Sequence, residues 1–193
     1  MEQDREDIKQ AREEWKQWAS GCNRKQLVFI DESSTKTNMC PLRGRSLRGK
    51  RCHGSASGSW HTTTMLSSIR LTGSTECVVF EGAVDKKMFA AYMEDMLLST
   101  LHPGDIVIMD NLSAHKNSFD TSKFISQDIE IRYLPAYSPD LNPIEKMWSK
   151  VKTRLREYQA ADADTLFHAI GEAFRSITAS NARGWFESCG YFQ

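Results

Sequence analysis

Two short apolar runs, Leu27–Ile30 and Ile106–Met109, each end on an acid, Asp31 and Asp110. Four apolar residues bounded by polar ones are too few for a helix and suit a strand buried on both faces. A third strand-like segment is Ile129–Leu134, and segments of helical period lie between and after the three. Strands buried on both faces need helices on both faces. The chain is therefore expected to be α/β, a mixed sheet covered by helices on either side.

The order of elements follows from periodicity. Residues 2–19 read as a helix, because Ile8, Ala11, Trp15 and Trp18 recur at helical spacing and Gly21 with Asn23 provides a stop. After the first strand, Ser33–Ser59 is rich in Gly, Ser, Arg and Lys, which predicts a loop or a weak hairpin. His61–Ile69 and Glu76–Phe80 read as strands flanking a turn at Thr72-Gly73-Ser74, giving an antiparallel meander. Asp85–Leu101 switches to helical period with Asp85 as N-cap, and a further helix is expected near Ser118–Gln127. Ile144, Met147, Trp148, Val151 and Leu155 mark the next helix, and Leu166, Ile170, Phe174 and Ile177 the last. The predicted order is β-β-β-α-β-α-β-α.

At 193 residues and 40% hydrophobic, the chain is sized for one core. It holds no apolar stretch long enough to span a bilayer, and its first twenty residues are charged, so it reads as cytoplasmic. The five cysteines, Cys22, Cys40, Cys52, Cys77 and Cys189, are odd in number and scattered, which argues against a disulfide framework. Cys40, Cys52, His53 and His61 match no common zinc-finger spacing.

The net charge is zero, but its distribution is uneven. No acid occurs between Glu32 and Glu76, whereas Lys36, Arg43, Arg45, Arg48, Lys50, Arg51 and Arg70 lie in that interval. Such a segment suits a polyanion.

Asp31 and Asp110 follow strand-like runs, and Glu145 opens a helix after a third. Ligand sites in open α/β sheets form where strand ends meet helix starts, so the three acids are placed to converge. Clustered carboxylates repel one another unless cations neutralise them. Magnesium fits this oxygen-only set, and two such ions promote phosphoryl transfer by in-line displacement. Each acid also has a structural alternative: Asp31 as a turn cap, Asp110-Asn111 as loop chemistry. Asn142, Pro143 and Glu145 could equally form an N-cap, an N1 proline and a reciprocal cap at N3.

Three segments, Phe29-Ile-Asp-Glu-Ser33, Met109-Asp-Asn-Leu-Ser-Ala-His-Lys116 and Leu134-Pro-Ala-Tyr-Ser-Pro-Asp-Leu-Asn-Pro-Ile-Glu145, resemble the bacterial insertion-sequence branch of the mariner transposase superfamily. Thirty-four residues separate Asp110 from Glu145, a spacing characteristic of that superfamily's Asp-Asp-Glu triad, and the resemblance runs from about residue 25 to 158. It implies a ribonuclease H-like fold and cut-and-paste transposition of double-stranded DNA, typically into TA targets. Asp31, Asp110 and Glu145 would be catalytic and would hold two Mg2+ or Mn2+ ions. Glu32, Asn111, His115 and Asn142 would lie beside them, and Arg43, Arg45, Arg48, Lys50, Arg51 and Lys116 would contact DNA. Lys150, Lys152 and Arg156, on the helix after Glu145, are alternatives for phosphate contact or an ordinary solvated face.

The resemblance implies residues 25–193 as catalytic domain, with residues 1–24 as a helix and linker. Relatives carry helix-turn-helix units ahead of this domain, so such a part is expected to be encoded separately, to be joined by a frameshift, or to be lacking in a truncated relic. A homodimer on DNA and a nucleoid-associated location are further expectations. Competing readings are a ribonuclease H-like nuclease without strand transfer and an inactive DNA-binding remnant.

Overall fold

The meander expected from the first three apolar runs is formed by β1 (Leu27–Lys36), β2 (Thr62–Arg70) and β3 (Cys77–Glu81), each antiparallel to the next. The computed structural model describes residues 5–54, 61–111 and 118–191. Strands β4 (Ile106–Met109) and β5 (Glu130–Tyr133) add in parallel beside β1, giving the order β3-β2-β1-β4-β5. The turn from β2 to β3 requires Gly73: its φ is +86°, and a Cβ there would meet the backbone of Thr178 and Ala179 at 3.0 Å.

Helices cover both faces. On one, α1 (Glu6–Ser20), α4 (Pro143–Tyr158), α5 (Ala163–Arg175) and α6 (Ala179–Ser188) share a core with Leu27, Phe29, Met65, Ile69 and Ile108. On the other, α2 (Lys86–Ala91) and α3 (Thr121–Ile125) pack with Val28, Ile30, Leu66, Val107 and Met109. The pleat explains the division, since successive side chains of β1 and β4 alternate between the two cores.

Several elements depart from expectation. Strand β1 does not stop at Asp31: Ser33–Lys36 stay paired with Thr62–Met65, where a loop was expected, because β2 runs alongside residue by residue. Asp31 thus lies inside a strand instead of at its end. The helix begun at α2, N-capped by Asp85 as expected, loosens into a π turn over Tyr92–Leu97 and tightens to a 3-10 turn over Leu98–Thr100. Helix α3 is only five residues, started by the Asp120 side chain on Ser122 N–H and followed by Asp128 at φ +60°. Helix α6 was not anticipated; only Ala182 and Phe186 of its residues are buried, a weak apolar signal, and a Thr178–Asn181 capping box begins it.

Helix α1 is tied to the loop ahead of α4. Arg12 donates to Ser138 Oγ at 2.7 Å and grips both oxygens of Asp140, while Trp15 Nε1 donates to Tyr191 Oη and Tyr191 in turn to Leu141 O. At the far end of the sheet Arg70 makes a two-pronged pair with buried Asp105 and also donates to Thr100 O. Arg70 is therefore structural, although it lies in the acid-free interval. None of the described helices is long and apolar enough to cross a membrane.

Candidate functional site

The parallel register places Phe29 beside Ile108, so Asp31 and Asp110 come off neighbouring strands two positions later, just where β4 ends and β1 continues. Asp31 shares the face of Phe29, toward α4, and Asp110 follows on the face of Ile108. Helix α4 starts at Pro143 behind the loop 134–142, with its apolar stripe buried and Glu145 exposed at the edge of that stripe, one turn before Trp148. A cleft of about 380 Å3 opens there, lined by Asp31, Asp110, Asn111, Asn142, Glu145 and loop residues including Leu134 and Tyr137. The three acids, 114 positions apart at the extremes, thus line one cavity.

Their electrostatics follow from that crowding. Burial pushes the Asp31 carboxyl up to about 7, and the neighbouring charges of Glu145 and Asp110 add to the rise. Hydrogen bonds from the Glu32 backbone and from the Trp148 indole pull it back. Trp148 Nε1 lies 3.2 Å from Asp31 Oδ2. One turn beyond Glu145, Trp148 reads from sequence as a core residue alone; its indole N–H is the functional part that reading missed. Its spacing of three from Glu145 on one helix was the available signal.

The oxygen-only donor set suits a hard divalent cation. Among the described residues, however, no three His, Cys, Asp or Glu side chains stand in metal-binding geometry as they are. Asp31 directs one carboxylate oxygen to the Trp148 indole N–H instead.

The neighbours sort differently from expectation. Asn111 and Asn142 line the cleft. Glu32 does not: paired with Leu66, it points to the face of α2, because adjacent strand residues alternate. His115 and Lys116 lie outside the described residues. Asn142 takes the N-cap position and Pro143 the first helical one, but the reciprocal cap does not form. Glu145 N–H donates instead to the backbone oxygen of Asn142 at 3.2 Å.

Arg43, Arg45, Arg48, Lys50 and Arg51 all sit on the exposed arm between β1 and β2. Among the described residues their side chains form no ion pair or hydrogen bond. Lys150 does not line the cleft; its ammonium donates to Ser176 O and Asn181 Oδ1, both at 2.6 Å, tying α4 to the α5–α6 junction. Lys152 and Arg156 lie further along α4 and are half-buried.

A three-stranded meander extended by two parallel strands, with acids on the adjoining ends of β1 and β4 and a third on α4, is the ribonuclease H-like arrangement. Residues 26–167 match the family of DDE superfamily endonucleases, and the chain belongs to that family. It is similar to the Tcb1 transposase of Caenorhabditis briggsae, 26% identical over 199 positions that cover 93% of this chain and 71% of that protein. With the Tc1 transposase of Caenorhabditis elegans it shares 30% identity over 95 residues, 49% of this chain and only 35% of that one. The fold matches the Mos1 transposase paired-end complex with left transposon end at a TM-score of 0.75 and 14% identity, covering 95% of this chain and 58% of that chain.

Proposed function

We propose that this chain is the catalytic domain of a cut-and-paste DNA transposase, with Asp31, Asp110 and Glu145 as its catalytic carboxylates. The observation that carries the reading is their meeting in one cleft at the junction of β1, β4 and α4. Similarity to Tc1-type transposases, and a fold shared with a Mos1 strand transfer complex, supports DNA strand cleavage followed by transfer. The Mos1 catalytic domain with Mg and with Mn has this fold too, which supports a divalent cation here.

Asp31, Asp110 and Glu145 would hold Mg2+ or Mn2+, two ions per site, through their oxygens. Those ions would activate the attacking oxygen and stabilise the leaving one at phosphorus. The chain's own residues prepare the site. Trp148 fixes the Asp31 carboxylate, and α1, through Arg12 and Trp15, braces the loop that walls the cleft.

The exposed arm, through Arg43, Arg45, Arg48, Lys50 and Arg51, would grip the DNA backbone near the scissile phosphate, with Lys116 and Lys152 as further contacts. Residues 25–193 form the catalytic unit in this reading. Sequence-specific recognition belongs to a helix-turn-helix part, and the protein works as a homodimer on transposon ends, cytoplasmic and nucleoid-associated in a bacterial host.

Incubation of the protein with a precleaved transposon end, target duplex and Mg2+ tests the assignment. Joined products of transposon end and target are expected. Hydrolysed fragments alone would make the chain a nuclease, and unchanged substrate an inert binder.

A further inference from the structure

Among the described residues, one buried side-chain polar atom has no hydrogen-bond partner, and it is Asn142 Oδ1. Asn142 is 4% exposed and lines the acidic cleft. A buried carbonyl oxygen left without a donor costs about 1–3 kcal/mol, so native proteins keep few of them.

The local partner is at hand and is not used. An asparagine at an N-cap ordinarily accepts from the N–H two or three residues on. Here the third N–H, that of Glu145, goes to the backbone oxygen of Asn142, and the side chain makes no cap bond. Nor do the acids supply a donor: Asp31, Asp110 and Glu145, when ionised, only accept. Asn142 thus brings an unpartnered oxygen to a cleft that Asp31, Asp110 and Glu145 also line.

We propose that Asn142 Oδ1 is a fourth, neutral oxygen donor to the divalent cation of this cleft, joining Asp31, Asp110 and Glu145. The inference rests on the reading of the cleft as a cation site. A cation would give this oxygen its missing partner, since amide oxygens are ordinary ligands of Mg2+ and Mn2+. A neutral fourth oxygen would add a ligand without adding a fourth like charge. An unsatisfied buried acceptor is a local cost of the kind that functional sites retain.

The test uses Mn2+ alone, without DNA, on the full 193-residue chain. Free Mn2+ is counted by electron paramagnetic resonance during titration, and melting is followed in chelator. Asn142→Ala is expected to bind Mn2+ roughly 10–100-fold more weakly, the usual loss when a metal site is stripped of a supporting group. Its melting temperature in chelator should equal or exceed that of wild type, because an unsatisfied acceptor has gone. Asn142→Asp, which keeps an oxygen in place, should bind Mn2+ at least as tightly as wild type.

Equal Mn2+ affinity in wild type and Asn142→Ala would overturn the inference while leaving the cation site intact. So would a marked fall in the chelator melting temperature of the alanine variant, or an Asp variant as weak as Ala, since either assigns Asn142 to the shape of the loop. A wild-type chain that binds no Mn2+ would overturn the cation reading and this inference with it.

Discussion

Trp148 Nε1 donates to Asp31 Oδ2 across 117 positions of sequence, linking the first buried strand to the helix that carries Glu145. The bond ties a core residue to a candidate catalytic one. Trp148 is 2% exposed, with its ring edge-on to Phe174 at 6.0 Å, so packing sets where its N–H points. Replacement by phenylalanine keeps most of the ring and removes the donor. In Trp148→Phe the Asp31 carboxyl should titrate above its present value of about 7, because a bond that favours the charged form is lost. Carboxyl-carbon NMR in chelator measures it, and an unchanged or lower midpoint would deny the bond its role.

Asp31 also sets the sign of a pH effect. Its pKa is raised by folding from 3.8 to about 7, so between those values the folded state holds a proton that the unfolded state has released. Stability then falls as pH rises through that window and levels off above it. The full span corresponds to about 4 kcal/mol at most. Urea unfolding in chelator at pH 4.5 and 7.5 should show this slope, and Asp31→Asn should flatten it. A wild-type chain that gains stability over the same window in step with Asp31 titration would contradict the burial of this carboxyl.

Chemistry and stability should separate at the acids. Asp31→Asn, Asp110→Asn and Glu145→Gln each ought to abolish Mg2+-dependent DNA cleavage while the fold survives, with Asp31→Asn more stable than wild type in chelator. Circular dichroism melts and cleavage of labelled duplex provide the two readouts. Near wild-type cleavage by any one variant removes that residue from the catalytic set.

What could be read from sequence was mostly what recurs along the chain. Four-residue apolar runs announced β1 and β4, alternating apolar and polar residues announced β5, and the stripe of α4 is plain from Ile144 to Leu155. Pairing across the sheet was less legible. That β1 continues to Lys36 depends on β2 lying alongside, and polar Ser33, Ser34 and Thr35 give no local hint of it. Glu32 was placed beside Asp31 by adjacency, although strand alternation sends neighbours to opposite faces. The three acids were visible because two follow apolar runs and the third opens a helix, although Asp31 lies inside its strand. Trp148 was hidden because an indole serves packing and hydrogen bonding at once.

The Arg70–Asp105 pair, at the end of the sheet away from the cleft, should be a stability determinant with no part in catalysis. Asp105 is 4% exposed and accepts from both guanidinium nitrogens and from His102 N–H. Loss of one partner leaves the other charge buried, which costs about 3–5 kcal/mol. Asp105→Ala and Arg70→Ala should each destabilise to that extent, and the double variant by much less than their sum. Denaturant midpoints in a double-mutant cycle measure the coupling, and additive losses would show that the two side chains act independently.

The arm between β1 and β2 offers the sharpest separation of binding from folding. Arg43, Arg45, Arg48, Lys50 and Arg51 are exposed and form no ion pair or side-chain hydrogen bond among the described residues. Among the described residues no acid neutralises these five charges. A duplex would supply the missing counter-charge. Each phosphate contact releases condensed counterions and steepens the dependence of log affinity on log salt by about 0.9. Replacement of all five by alanine should therefore flatten that slope by up to about 4.5 if every side chain meets a phosphate, with the weakening greatest at low salt. Since surface changes of this kind usually alter stability by less than about 0.5 kcal/mol each, the melting temperature should hold. Binding is measured by fluorescence anisotropy on an unrelated duplex from 50 to roughly 300 mM salt, the range over which such contacts dominate. A variant with wild-type slope would return these charges to an ordinary solvated loop and leave the grip on DNA to other residues.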